Sequence, residues 1–353
     1  MIRVNILSTK NPNYSLIFTP IFVNKKILES MGVNIKFFDS ISNELFNADC
    51  VIINNRIYRK NPNKTRDSDM FNLLEKLNKK VQKVYWLDTT DGTGTTQFQF
   101  LPYVSKYFKT QILKDKKKYL KKYYGGRIFT DYYHKKFHVK DSEEYIDIEP
   151  AKQDQLHKIE ISWGHCLADF GKYSTILRKA RKFLPIKTFY SQHFINSETK
   201  SQTVNFRFNA NYSRETISFQ RNLIQKQANE FGYSTNKIPR KKYFSELKQS
   251  KLAVSPFGWG ETSYKDFEII INGVALIKPD MSHMSTWPEI YIDNFTYLPI
   301  SWDCSNLFET VEEFTKDDKW QKINYQAQEF YKKSLYSEEA EFNFNIRFLN
   351  MIN

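Results

Sequence analysis

The stretch Ser255-Pro-Phe-Gly-Trp-Gly-Glu-Thr-Ser-Tyr-Lys-Asp-Phe-Glu268 decides how this chain reads, together with its continuation through Gly273 to Lys278-Pro-Asp280. It follows a short apolar run, Leu252-Ala-Val254, with the length and composition of a buried strand. Gly258 and Gly260 let the backbone turn tightly and approach a ligand closely. Ser263 and Asp266 have capping-box spacing, so a helix is predicted to begin there. Tyr264, Phe267, Ile270 and Ile271 give that helix an apolar stripe, and Glu261, Lys265 and Glu268 share a second one. The helix hands over to a further strand, Val274-Ala-Leu-Ile277.

A glycine turn that opens a helix offers unpaired main-chain N–H groups and the positive end of a dipole, which suits a phosphate. Lys265, one turn in, adds a mobile cation. Glu268 lies beside the apolar stripe, where an unpartnered carboxylate is costly, and a ribose diol would satisfy both its oxygens. Phosphate, cation and diol-binding carboxylate together describe a nucleotide diphosphate. The same residues also describe a capped surface helix carrying Lys265 and Glu268 as a solvated ion pair.

The run from Ser255 to Tyr291 resembles the donor-site signature of GT-B glycosyltransferases, especially bacterial polysaccharide enzymes and the exostosin-like group, with a weaker likeness around residues 84–133. The resemblance implies an α/β fold of two Rossmann-like domains facing across a cleft. It implies Lys265 near the diphosphate, Glu268 on the ribose, and Gly258, Gly260 and Glu261 in the turn close to donor phosphate or sugar. It also implies a nucleotide-sugar donor as substrate, neither cofactor nor metal, and a glycan or lipid-linked saccharide acceptor in bacterial surface polysaccharide synthesis (lipopolysaccharide O-antigen or capsule). Two departures stand out. Lys265 occupies a place where exostosin-like sequences often have Arg. Glu261 and Glu268 are separated by six residues, not the seven of the retaining EX7E signature, so no retaining mechanism is carried over.

At 353 residues the chain exceeds one ordinary core. We expect an acceptor-side domain over 1–185, a nucleotide-sugar-binding domain over 186–335, and a closing helix over 336–353 that packs back toward the first. A net charge of +14 points to anionic partners: a nucleotide sugar, nucleic acid or an acidic membrane. No recognised nucleic-acid module is present, so nucleic acid is not expected. Cys50, Cys166 and Cys304 lack metal spacing and fit a reducing compartment. Met1-Ile-Arg-Val enters a strand at once, and no apolar run approaches the ~20 residues that cross a bilayer. A cytoplasmic protein, soluble or peripheral on the inner membrane face, is the expectation.

From the start, strands at Ile2–Leu7, Val33–Phe38, Cys50–Ile53 and Val84–Leu87 alternate with helices over 20–31, 41–47 and 67–79. That order implies parallel βαβ units with ligands beyond the carboxyl ends of the strands. The loop Asp88-Thr-Thr-Asp-Gly-Thr-Gly-Thr-Thr96 supplies Asp88 and Asp91 as candidate bases for an acceptor hydroxyl, or as ordinary Asx turn residues. His165 follows a strand at Ile159–Trp163 and is a third candidate base, or a structural histidine. Lys106–Lys122 carries eight lysines among aromatic and aliphatic residues. It reads as a helix, either lying on anionic lipid or packed with a solvated back. Arg127–Thr130 reads as a strand, 171–183 as a basic helix, Leu184-Pro185 as the domain boundary, and Lys187–Tyr190 as the first strand of the second domain. Further strands are expected at Val204–Phe208 and Tyr297–Trp302, helices over 214–231 and 239–251, and a helical tail over 306–350. The resemblance implies a phosphate contact from the first loop of this half, for which Arg207 and Arg214 are the candidates, and His283 reads either as a donor to a sugar hydroxyl or as an ordinary loop histidine. A rival of another class is a nucleotide- or glycan-binding protein without catalysis.

Overall fold

The computed structural model describes residues 1–10, 15–59, 67–142, 148–168, 194–195 and 199–353. The basic helix expected over 171–183, the boundary at 184–185 and the strand over 187–190 lie outside them. The first lobe is built on β1 (Ile2–Leu7), β2 (Val33–Phe38), β3 (Cys50–Asn54), β4 (Lys83–Asp88), β5 (Lys106–Lys109) and β7 (Ile159–Ile161), in the order β2-β1-β3-β4-β5-β7. Every pairing in it is parallel. Such a sheet is covered on both faces, and its central strands β3 and β4 are accordingly buried along nearly their whole length, while the edge strand β2 alternates. Val51, Ile53, Val84 and Trp86 fill one face, and Ile52, Tyr85 and Leu87 the other.

The second lobe carries β8 (Gln202–Asn205), β9 (Ser250–Val254), β10 (Ala275–Pro279) and β12 (Leu298–Ile300), parallel in the order β12-β10-β9-β8. Helices Glu215–Glu230, Arg240–Gln249 and Tyr264–Ile271 connect its strands. The expected pair of Rossmann-like sheets is therefore present. Two further strands join the lobes: β6 (Gln111–Leu113) from the first pairs antiparallel with β11 (Met284–Thr286) from the second. The tail forms helices Leu307–Thr315, Trp320–Tyr336 and Glu338–Ile352. The last returns to the first lobe, where Phe344 and Phe348 meet the Trp163 ring and Arg347 donates to the carbonyls of Ile161 and Ser162.

Two sequence expectations fail. Residues 106–122 form β5, β6 and a 3-10 turn at Lys116–Leu120, not an amphipathic helix. Tyr107 and Phe108 point to opposite faces of the sheet and are both buried, which is a strand's period of two. Lys109 is drawn into the core by Asp88 at 3.0 Å. A lipid-facing helix is thus absent from this segment, and no helix among the described residues is long and apolar enough to cross a membrane. Arg127–Thr130 is not a strand either: Ile128–Phe137 is a helix, begun where Asp131 in its first turn accepts the Tyr124 N–H at 3.1 Å.

Candidate functional site

The carboxyl ends of both sheets face each other, and the loops beyond them interlock. Gly260 sits so close to the first lobe that an added Cβ would lie 1.8 Å from the Asp91 carbonyl oxygen. Gly258 has the Tyr212 hydroxyl and the Arg221 guanidinium against its own Cβ position, at 3.2 and 3.3 Å. Glu261 is fully buried and crosses the seam: it accepts from the Thr93 N–H at 2.9 Å and the Thr93 hydroxyl at 2.6 Å. Nε2 of His283 stands 3.5 Å away. Burial pushes the Glu261 carboxyl up, but His283 and the two Thr93 donors outweigh it and bring it down to about 2. Arg127 of the first lobe adds a 2.6 Å hydrogen bond to the Trp259 carbonyl.

The helix Tyr264–Ile271 begins at the capping box read from the sequence, with Ser263 and Asp266 bonded reciprocally. Asp266 is buried and also receives the Tyr291 hydroxyl at 2.6 Å and Lys278 Nζ at 3.1 Å, which fixes the helix start against β10. Lys265 does not project freely. Its Nζ donates to the carbonyls of Arg207 and Val254, both at 2.8 Å, tying the ends of β8 and β9 together. Burial, with the neighbouring Arg221 charge, pushes it down to about 7. Glu268 pairs with Arg240 at 3.2 Å, and burial raises its carboxyl against that charge. The Tyr243 hydroxyl, close enough to feel both charges, is buried without a hydrogen-bond partner among the described residues.

Arg207 is engaged with Glu246 at 2.8 Å and with the Ser234 hydroxyl at 2.7 Å. Arg214 stands over the Trp259 ring at 6.0 Å. Sequence reasoning missed Arg221, which donates to the carbonyls of Phe257 and Asn209 and stacks on Tyr212 at 4.7 Å. Its signal was present: Ile217, Arg221, Ile224 and Ala228 fall on one buried stripe of a helix, where an arginine needs a reason. Trp259 and Tyr264, on either side of the turn that opens the helix Tyr264–Ile271, are 42% and 46% exposed.

On the first lobe, Asp88 is fully enclosed. It holds Lys109, the Tyr107 hydroxyl at 2.6 Å and the Thr90 N–H at 2.8 Å. Burial pushes its carboxyl up, but Lys109 and Tyr107 overcome that and leave it lowered. A carboxylate so saturated organises the loop and is poorly placed to take a proton. Asp91 is half exposed and meets Arg56 at 3.4 Å. His165 follows β7 in a 3-10 turn, and its ring meets Tyr264 edge-on with centroids 5.9 Å apart. Neither ring nitrogen has a hydrogen-bond partner among the described residues, and both are buried. Burial pulls the imidazole down to about 4, with Asp91 opposing, so it is neutral at pH 7 with a lone pair available. The fold thus brings Asp91, His165, Gly258, Gly260, Glu261, Arg214 and His283 to the two sides of one seam, with Lys265 buried behind it in the second lobe. Glu268 and Arg207 lie farther along the second lobe, toward Arg240 and Glu246.

No family model matches the chain, and no curated protein does. Solved structures do. An α-glucosyltransferase in complex with UDP and a 13-mer DNA aligns at 8% identity and TM-score 0.46, over 100% of both chains. Anabaena HepE in complex with UDP and glucose aligns at 8% and 0.43, over 100% of this chain and 99% of its own. An α1,3-fucosyltransferase aligns at 11% and 0.44, over 99% and 90%. At such identities and scores nothing about chemistry is taken from them.

Proposed function

We propose that this chain is a GT-B glycosyltransferase that moves a sugar from a nucleoside-diphosphate donor to a hydroxyl of a glycan or lipid-linked saccharide, in the assembly of a bacterial surface polysaccharide. The observation that carries the reading is His165. A neutral imidazole, neither nitrogen of which has a hydrogen-bond partner among the described residues, stands at the carboxyl end of one sheet and faces the start of a capped helix in the other lobe. Arg214, Arg221 and Lys265 gather around that helix start.

In the proposed reaction the half-exposed Tyr264 ring turns away from His165 to admit the acceptor hydroxyl, which gives its proton to the imidazole as its oxygen attacks the anomeric carbon. The bond from that carbon to the diphosphate oxygen breaks, and the electron pair leaves on the diphosphate. Direct displacement of this kind inverts the anomeric centre. The charge developing on the leaving group is met by the helix N-terminus and the field of Arg214, Arg221 and Lys265, fixed in place beforehand by their main-chain and aromatic contacts. Asp91, next to Arg56, opposes the desolvation of His165 and stabilises the imidazolium once formed. Glu268 takes the ribose diol, for which the orphaned Tyr243 hydroxyl is a second partner.

A thermal-shift screen across nucleoside diphosphates, followed by product analysis with UDP-, GDP- and CMP-sugars, tests the reading. A preferred diphosphate at about 100 times its Kd adds about 2.7 kcal/mol to native stability. Its sugar conjugate is then consumed. Binding with neither transfer nor hydrolysis would instead identify a non-catalytic nucleotide-binding protein.

A further inference from the structure

A groove of about 450 Å³ opens where the tail helix crosses the outer strand of the first sheet, lined by Glu160, Trp287, Asn343, Ile346, Arg347 and Asn350. That volume lies in the range of ligand sites. Asn343, Arg347 and Asn350 are spaced i, i+4, i+7, so they form one stripe of hydrogen-bond donors on the helix Glu338–Ile352. Arg347 is held rigidly. Nε donates to the Ser162 carbonyl at 2.7 Å, Nη2 donates to the Ile161 carbonyl, and the guanidinium stacks on the Trp287 indole at 4.6 Å. Those contacts use two nitrogens. Nη1 has no hydrogen-bond partner among the described residues. The Asn343 and Asn350 amides are likewise without partners among them. Glu160, on the opposite wall, is bound to Lys106, and its charge is felt at Arg347 across the groove without an ion pair between them among the described residues.

A preorganised guanidinium with a spare edge, between two exposed amides and beside an indole, is built to receive an oxyanion carried on a hydroxylated ring, with hydroxyls for the amides and a C–H face for the indole. The groove adjoins the proposed base: the Gly164 N–H, one residue before His165, donates to the Trp287 carbonyl at 2.7 Å. We propose that it is an acceptor subsite, and that it takes a sugar residue bearing an anionic substituent, either carboxylate or phosphate. Calling the occupant an acceptor rests on the glycosyl-transfer reading; the oxyanion site itself does not.

The test is NMR of the full chain with its six tryptophans labelled with 15N, assigning the indole N–H of Trp287 and Trp259 by substitution. Glucuronic acid, glucose 6-phosphate and glucose are titrated in turn. The Trp287 signal should move with glucuronate, with the phosphate ester, or with both, which separates the two sources, and roughly tenfold less readily with glucose. Asn343→Asp and Asn350→Asp, both at exposed positions, should each weaken the anionic titration by at least roughly tenfold. No movement with either anion, an equal response to glucose, or aspartate variants that bind as the parent does would each overturn the proposal. In the same sample a nucleoside diphosphate should move Trp259. If Trp287 answers to anions and Trp259 answers to no nucleotide, the oxyanion groove stands and the glycosyl-transfer reading fails.

Discussion

Glu261→Gln tests the seam between the lobes. The carboxylate is fully buried and takes two hydrogen bonds from Thr93, so its loss leaves a buried N–H facing an amide of mixed polarity. Bonds to a charged group contribute about 1.5–3 kcal/mol each. A carboxyl lowered from 4.5 to about 2 implies a similar total, about 3 kcal/mol at ~1.36 kcal/mol per pH unit. Unfolding entropy of about 2.1 cal/mol/K per residue, over 353 residues, converts that to a Tm lower by about 4 °C at pH 7. The pH dependence is the sharper assay. The folded pKa lies below the unfolded one, so the stabilisation is complete above the unfolded carboxyl's ~4.3 and is lost as pH falls toward 2. Denaturant unfolding of parent and variant across that range should show their difference closing on acidification. A difference under roughly 0.5 kcal/mol at pH 7, the scale of a surface substitution, or one that stays constant on acidification, would refute the reasoning.

Gly260→Ala should force the lobes apart, because its Cβ would meet the Asp91 carbonyl at 1.8 Å; limited proteolysis should then reach the loop at 88–96, and an unchanged digestion pattern would show that the seam yields cheaply. Lys265, pushed down to about 7 by burial, should lose charge as pH rises through neutrality, so donor affinity measured calorimetrically should fall above pH 7 in the parent and stay flat in Lys265→Met. Parallel profiles for the two proteins would remove Lys265 from the donor's field.

Much of the fold is legible because it is local. β1 and β2 appear where the β-branched, apolar runs sit, and the helix after Gly260 starts at the Ser263–Asp266 box. The failures have a common cause. Lys106–Lys122 is lysine-rich, and charge density suggested a solvated helix; its structure is decided by distant partners, Asp88 for Lys109 and β11 for β6. Such pairings leave no periodic trace in the segment itself. The site was visible as residue types at strand ends, and His165 and Asp91 were named on that ground. What the sequence could not display was saturation: Asp88 is filled by Lys109, Tyr107 and Thr90, while the His165 nitrogens have no hydrogen-bond partner among the described residues. Glu261 likewise read as a donor-site residue, and its bonds to Thr93 exist only because the two lobes meet.

The most direct measurement is sugar transfer by parent and His165→Ala protein, with the donor chosen by the diphosphate screen and its affinity measured for both. The account predicts donor affinity within a few-fold of the parent and kcat lower by roughly 10²–10⁴, the contribution of a positioned general base. Parental turnover in the variant, or a parent that binds donor without consuming it, would contradict it.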